Sequence, residues 1–124
     1  MARDLPIGNG SLLVSFDQQY CIRDCYFPLV GQENHTAGHR FYLGVWTQGL
    51  FSWVSDESWE RQLAYEPNTL ATQVSLQNTK LGLSIVASDV VDFQQNVLIR
   101  RFRITNLNPA VTEVRLFLHH DFHV

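Results

Sequence analysis

Apolar and polar residues alternate along most of this chain with a period of two, the spacing of a strand that buries one face. Three hairpins can be drawn by asking which register collects the apolar residues on one side. The first runs from Leu70 to Ala87 about a two-residue turn at Asn78-Thr79. It pairs Leu76 with Leu81, Val74 with Leu83, Thr72 with Ile85 and Leu70 with Ala87. Its opposite face carries Gln73, Ser75, Gln77, Lys80 and Ser84, so one face is apolar and the other wet.

The second hairpin turns at Gln48-Gly49, where glycine supplies the positive φ of a type I′ turn. It pairs Trp46 with Phe51 and Gly44 with Trp53, with Tyr42 on the same side. Phe41, Leu43, Val45, Leu50 and Val54 fall on the other. Both faces are apolar, which predicts cover on both sides and burial of Tyr42, Trp46 and Trp53. The third joins Val97–Thr105 to Val111–Leu118 and sets Leu98, Phe102, Ile104, Val114, Leu116 and Leu118 toward the core. Arg100 falls on that same face. A buried guanidinium needs a carboxylate or carbonyl partner, and Asp24 and Asp121 are the candidates.

No amphipathic helix is evident. Ser58 to Tyr65 has room for two helical turns, but Tyr65 and Pro67 curtail it and a strand suits it equally. The predicted fold is all-β, an antiparallel β-sandwich. The strand pattern breaks in the block Ile22–His39, IRDCYFPLVGQENHTAGH, which gathers Arg23, Asp24, Tyr26, Glu33, Asn34, His35 and His39 around Pro28, Gly31 and Gly38. Polar groups held on loops by a rigid scaffold are common sites of binding and chemistry.

Composition narrows the function classes. Hydrophobic residues at 45% and charged residues at 17% suit a folded domain and not a disordered segment. A net charge of -3 gives no basic stripe for nucleic acid, and Arg100, Arg101 and Arg103 alternate between two faces of one strand. No apolar run approaches the ~20 residues of a membrane-spanning helix. Cys21 and Cys25 on one extended strand would lie about 13 Å apart at the usual rise per residue, beyond disulfide reach without a tight turn. Two free thiols, and an N-terminus without an apolar leader core, predict a cytoplasmic protein.

The stretches LPIGNGSLLVSFDQQYCIRD at Leu5–Asp24, YFPLVGQENHTAGH at Tyr26–His39 and GVWTQGLFSW at Gly44–Trp53 follow one another in a telling order. LAYEPNTL at Leu63–Leu70, VLIRRFRITN at Val97–Asn106 and LFLHHDFHV at Leu116–Val124 continue it. In that order the chain resembles the N-terminal β-domain of bacterial and archaeal glucoamylases. These belong to glycoside hydrolase family fifteen, together with trehalase and glucodextranase relatives. The resemblance implies a β-supersandwich similar to galactose mutarotase, packed against a barrel of paired α-helices. Inverting hydrolysis of α-glucosidic bonds by two glutamates belongs to that barrel in the family. This chain has no helical region for it, so the resemblance implies a non-catalytic first part of the β-domain, without cofactor. An α-glucan or α-glucoside would be met through the barrel, and unpaired strand edges would invite a second copy.

Three functional readings follow from the residues. Tyr26, Glu33, Asn34, His35, His39 and Arg40 form a set of convergent polar groups for a sugar, at a domain interface or pocket mouth. Tyr42, Trp46 and Trp53, if exposed, would make the stacking platform of a free-standing carbohydrate-binding module. An independent glycosidase would need two carboxylates roughly 6.5–9.5 Å apart, and Glu33 with Asp24 is the nearest pair. The plainer role for these groups is that Asp24 pairs with Arg23 or Arg100 while Glu33 and Asn34 pin loop backbone. Two histidine groups invite a metal reading, His35 with His39, and His119, His120 and His123 beside Asp121. Alternation would set His119, Asp121 and His123 on one side of a strand, but neither group has a recognised ligand spacing, and no metal is expected.

Overall fold

The alternation resolves into ten antiparallel strands in a computed structural model, which describes residues 4–111 and 113–123. The strands are β1 Leu5–Gly8, β2 Leu13–Phe16, β3 Ile22–Tyr26, β4 Tyr42–Thr47, β5 Leu50–Trp53, β6 Glu60–Tyr65, β7 Thr72–Asn78, β8 Leu83–Val91, β9 Leu98–Asn106 and β10 Arg115–His119. They form three sheets, ordered β1-β2-β3, β10-β4-β5 and β6-β7-β8-β9. No helix occurs among the described residues. The first two sheets are stitched together by a bridge between Ile22 and Phe41, and β1 packs against β8 and β6 of the third. The result is a β-sandwich around one apolar core, with Val14, Phe16, Val45, Val74, Leu83 and Ile85 at its centre. Ser58–Tyr65, readable as helix or strand, is strand from Glu60 onward.

The hairpin at Gln48-Gly49 has the predicted register, Trp46 opposite Phe51 and Gly44 opposite Trp53. Both turn residues have positive φ, 52° and 78°, as a type I′ turn demands. Gly44 makes room for a neighbouring ring. A Cβ there would stand 2.6 Å from Cζ of Phe51, whose ring lies across the bare backbone. Only the Phe41, Leu43, Val45 and Val54 face is sealed, and Leu50, expected on it, is 54% exposed beside the turn. Tyr42, Trp46 and Trp53, expected to be buried, are half-buried on the outer face, because no described element covers that side.

The β7–β8 hairpin keeps its predicted faces but not its register. Val74 lies opposite Ala87 and Leu76 opposite Ile85, and Asn78–Leu83 is the closing pair. The turn therefore spans residues 79–82 and not two residues. Asn78 Oδ1 accepts the Leu81 N–H at 3.0 Å, and Leu81 is buried within the turn instead of in the ladder. The shift is by four residues, an even number, so the residues within the ladder keep their expected faces, whereas Leu70, expected on the apolar face, lies before β7 and is 73% exposed.

The third predicted hairpin does not form. β9 pairs with β8 over nine residues, and β10 crosses to the other layer and pairs with β4. The connection is captured on the way. Leu107 N–H donates to Gly82 O at 2.7 Å, Gln48 Nε2 donates to Ala110 O at 2.7 Å, and Thr47 Oγ1 donates to Glu113 O at 2.7 Å. Leu98, Phe102, Ile104, Val114 and Leu116 still point inward but are only partly buried. Leu118, expected in the core, is 49% exposed.

Arg100 does face the interior, and its partner is neither Asp24 nor Asp121. It is Asp89, directly across the β8–β9 ladder. Arg100 Nε meets Asp89 Oδ1 at 2.9 Å, with Asp89 wholly buried. Tyr20 Oη and Thr72 Oγ1 donate to Asp89 Oδ2 at 2.6 and 2.8 Å, and Asp89 N–H donates to Thr72 Oγ1. The guanidinium also lies 5.2–5.4 Å from the ring centres of Phe16, Tyr20 and Phe102, within cation–π range.

Removing one member of a buried, hydrogen-bonded ion pair strands the other charge. Arg100→Ala should therefore cost about 3–5 kcal/mol in urea denaturation. Glu113→Ala, which breaks an ion pair with Arg115 whose side chains are 56% and 59% exposed, should cost less than about 1 kcal/mol.

Burial and the neighbouring Asp89 charge raise the Tyr20 hydroxyl well above its ordinary 10.0. Burial, with a smaller contribution from Asp17, pushes the adjacent Cys21 thiol up from 9.0 to about 11. Both groups are held neutral by the fold, so the unfolded chain loses their protons first as pH rises. This stabilisation is complete below the unfolded values and is lost on passing through the folded ones. Melting temperature should hold up to about pH 9 and decline toward pH 11, as calorimetry across that range would record.

Candidate functional site

The polar block begins as strand β3 and becomes a loop only after Tyr26. The loop folds back on the strand that precedes it. Phe27 N–H donates to Glu33 O at 3.3 Å and His35 N–H to Cys25 O at 2.8 Å, and Tyr26 bridges Asn34.

Asn34 is the hub of this fold-back. Its Oδ1 accepts from Cys25 N–H, Thr36 N–H and the Thr36 hydroxyl at 3.1, 3.2 and 2.8 Å. Its Nδ2 donates to Asp24 Oδ1 at 2.8 Å. The other Asp24 oxygen accepts from Arg23 Nε at 2.9 Å, and Arg23 reaches on to Asp4. Asp24 is thus held by both neighbours, while the Glu33 side chain lies exposed. The arrangement is that of a loop brace and not of an acid and a base facing across a cleft.

The six-residue set separates into three places. Asn34 turns inward with half-buried Tyr26 beside it. His35 spans two carbonyls, with Nε2 at 2.8 Å from Phe27 O and Nδ1 at 3.1 Å from His123 O. His39 is exposed and stacks on His123, ring centres 5.1 Å apart and 23° from parallel. Arg40 points elsewhere, to Gln19 Oε1 at 2.9 Å and Asp17 Oδ2 at 3.3 Å.

The C-terminal segment joins this loop, a contact that the sequence pattern did not foretell. His123 N–H donates to His35 O at 2.8 Å. His120 and Phe122 pack on Phe41 and roof an apolar cavity of about 220 Å³ between Val14, Ile22, Cys25 and Leu98. Burial there lowers the His120 pKa. Because β10 ends at His119, the strand alternation expected to set His119 beside Asp121 and His123 stops short. His119 instead lies 6.1 and 6.4 Å from Tyr42 and Trp53.

Those rings belong to an aromatic patch on the outer face of the β10-β4-β5 sheet. Phe51 stands edge-on to Trp53 at 4.8 Å and to Phe117 at 5.6 Å. Trp46 is withdrawn from it beneath Arg115, whose guanidinium lies 4.6 Å above the ring. Cys21 and Cys25 are both free thiols.

No family model, curated protein or solved structure matches the chain.

Asn34→Ala removes an acceptor from three donors in a partly buried brace, and should cost about 2–3 kcal/mol. Glu33→Ala should stay within about 0.5 kcal/mol, as exposed substitutions do. Denaturant titration of the two variants beside the parent checks both values.

Proposed function

We propose that this chain is the non-catalytic N-terminal β-domain, or the first part of one, of a glucoamylase-like glycoside hydrolase acting on α-glucosides. Its fold would be a supersandwich, and its work would be to support a helical catalytic barrel and shape the approach to its pocket. The observation that carries the reading is the open side of the sandwich. There Leu98, Phe102, Ile104 and Leu116 point inward yet stay only partly buried, while Leu118 and Phe122 are 49% and 56% exposed. Incompletely covered apolar residues of this kind suit a face that packs against a partner. A packed partner domain is the occupant that the resemblance supplies. The self-braced loop agrees with it, since Asp24 and Asn34 spend their polar atoms on the fold. A second copy could also add to the free edge of β9.

One feature favours a second reading, a carbohydrate-binding module. Tyr42, Phe51, Trp53, Phe117 and His119 form an aromatic patch on an outer face, with Phe51 and Phe117 nearly half exposed. Aromatic faces beside a few polar groups suit a pyranose ring.

Incubation of the purified chain with maltose, maltooligosaccharides and trehalose, with calorimetry on the same sugars, separates the readings. The accessory-domain reading expects no hydrolysis and no heat of binding. Binding without turnover, with a tryptophan fluorescence change that Trp53→Ala removes, would favour the module. Turnover abolished by Glu33→Gln would overturn both.

A further inference from the structure

The fold brings together three side chains from two separate histidine groups of the sequence. One donor atom each from His39, Asp121 and His123 lies within 4.8 Å of the others. His39 ends the loop after β3, and the other two belong to the segment after β10. We propose that these three residues form a divalent transition-metal site, with zinc as its ordinary occupant.

The donor set selects the metal. Two imidazoles and one carboxylate suit zinc and its late first-row neighbours, whereas calcium and magnesium require oxygen donors throughout. Metal–ligand bonds of about 2.0–2.2 Å place neighbouring donors of a tetrahedral site about 3.4 Å apart. His123 Nε2 and Asp121 Oδ1 already stand 3.5 Å apart. His39 has the remaining distance to close. Its ring is exposed and stacked against that of His123, and binding would turn its ring nitrogen toward the other two donors.

The backbone beneath is held before any ion arrives. His123 is tied on both sides to His35, through its N–H to His35 O and through its carbonyl to the His35 ring. His35 is therefore a positioning residue for this site. Three protein ligands leave a fourth position for water or an external donor, as in open zinc sites. A bound ion would clip the C-terminal segment to the loop across a long stretch of chain, where closing the loop gains most. The site is independent of the carbohydrate reading, and either can fail without the other.

The test titrates the full chain with Co²⁺ and Zn²⁺ as the only added ligands. Calorimetry should give one ion per chain, and Co²⁺ should develop the visible bands of a low-coordinate site that Zn²⁺ then bleaches. His39→Ala, Asp121→Asn and His123→Ala should each weaken binding more than about tenfold, the least that loss of even an outer-shell partner costs. The control variant Glu60→Gln, at an exposed carboxylate on β6, should bind as the parent does. Zn²⁺ should also raise the melting temperature of the parent and not of His39→Ala. Circular dichroism checks that each variant is folded, and His39→Gln replaces His39→Ala if the latter is not. Absence of saturable binding by the parent would overturn the site. So would unchanged binding in the three ligand variants, or an equal loss in Glu60→Gln.

Discussion

The buried pair of Asp89 and Arg100 is the constraint around which the sandwich is arranged. A carboxylate with no exposure cannot remain charged without partners on every side. Here those partners come from Tyr20, from Thr72 on β7 and from Arg100 on β9. The guanidinium in turn lies against Phe16 of β2. One ion pair thereby pins the β8–β9 ladder, the turn after β2 and the packing between layers. A slip of one residue in β8 or β9 would move one charge to the outer face and leave the other unpaired within. Apolar packing alone would tolerate an even shift, as the β7–β8 turn illustrates, whereas this pair admits only one register.

From this centre the structure grades outward. The core is sealed around β2, β7 and β8, and it thins toward β9 and β10, whose inward residues are partly covered. Polar groups of the loop after β3 are spent chiefly on holding that loop, through Asn34, Asp24 and Thr36. Groups that remain outward, His39 and the aromatic patch beside Trp53, sit where they can meet something else. Bracing groups and available groups lie within a few residues of one another, and residue type does not tell them apart. Asn34 and His39 were equally plausible ligands as letters in a sequence. Only the count of donors around Asn34 Oδ1 shows that its capacity is taken.

Half of the buried ion pair is legible in the alternation. Ile85, Ala87, Asp89 and Val91 share one phase of alternation, which places a carboxylate on the core face of β8. Arg100 has the same phase in its own strand. Matching the two phases makes Asp89 a third candidate beside Asp24 and Asp121, and only the pairing of β8 with β9 sets it opposite Arg100. The meeting of His39 with Asp121 and His123 had no such signal, because it depends on where the segment after β10 comes to rest.

By itself, the sequence determined the all-β class, the inward and outward faces of the strands, the Gln48-Gly49 turn with its register, and the inward position of Arg100. These are local properties, since a period of two sets the face of each side chain and a glycine of positive φ sets a tight turn. Tertiary structure decided strand partnership. It joined β9 to β8 and β10 to β4, chose Asp89 over Asp24 and Asp121, and brought the two histidine groups together. Alternation says which way a side chain points and nothing about what it will face. Partner choice rests on which edges are free when the layers close, and on where the charges and hydrogen-bond donors inside them can be satisfied.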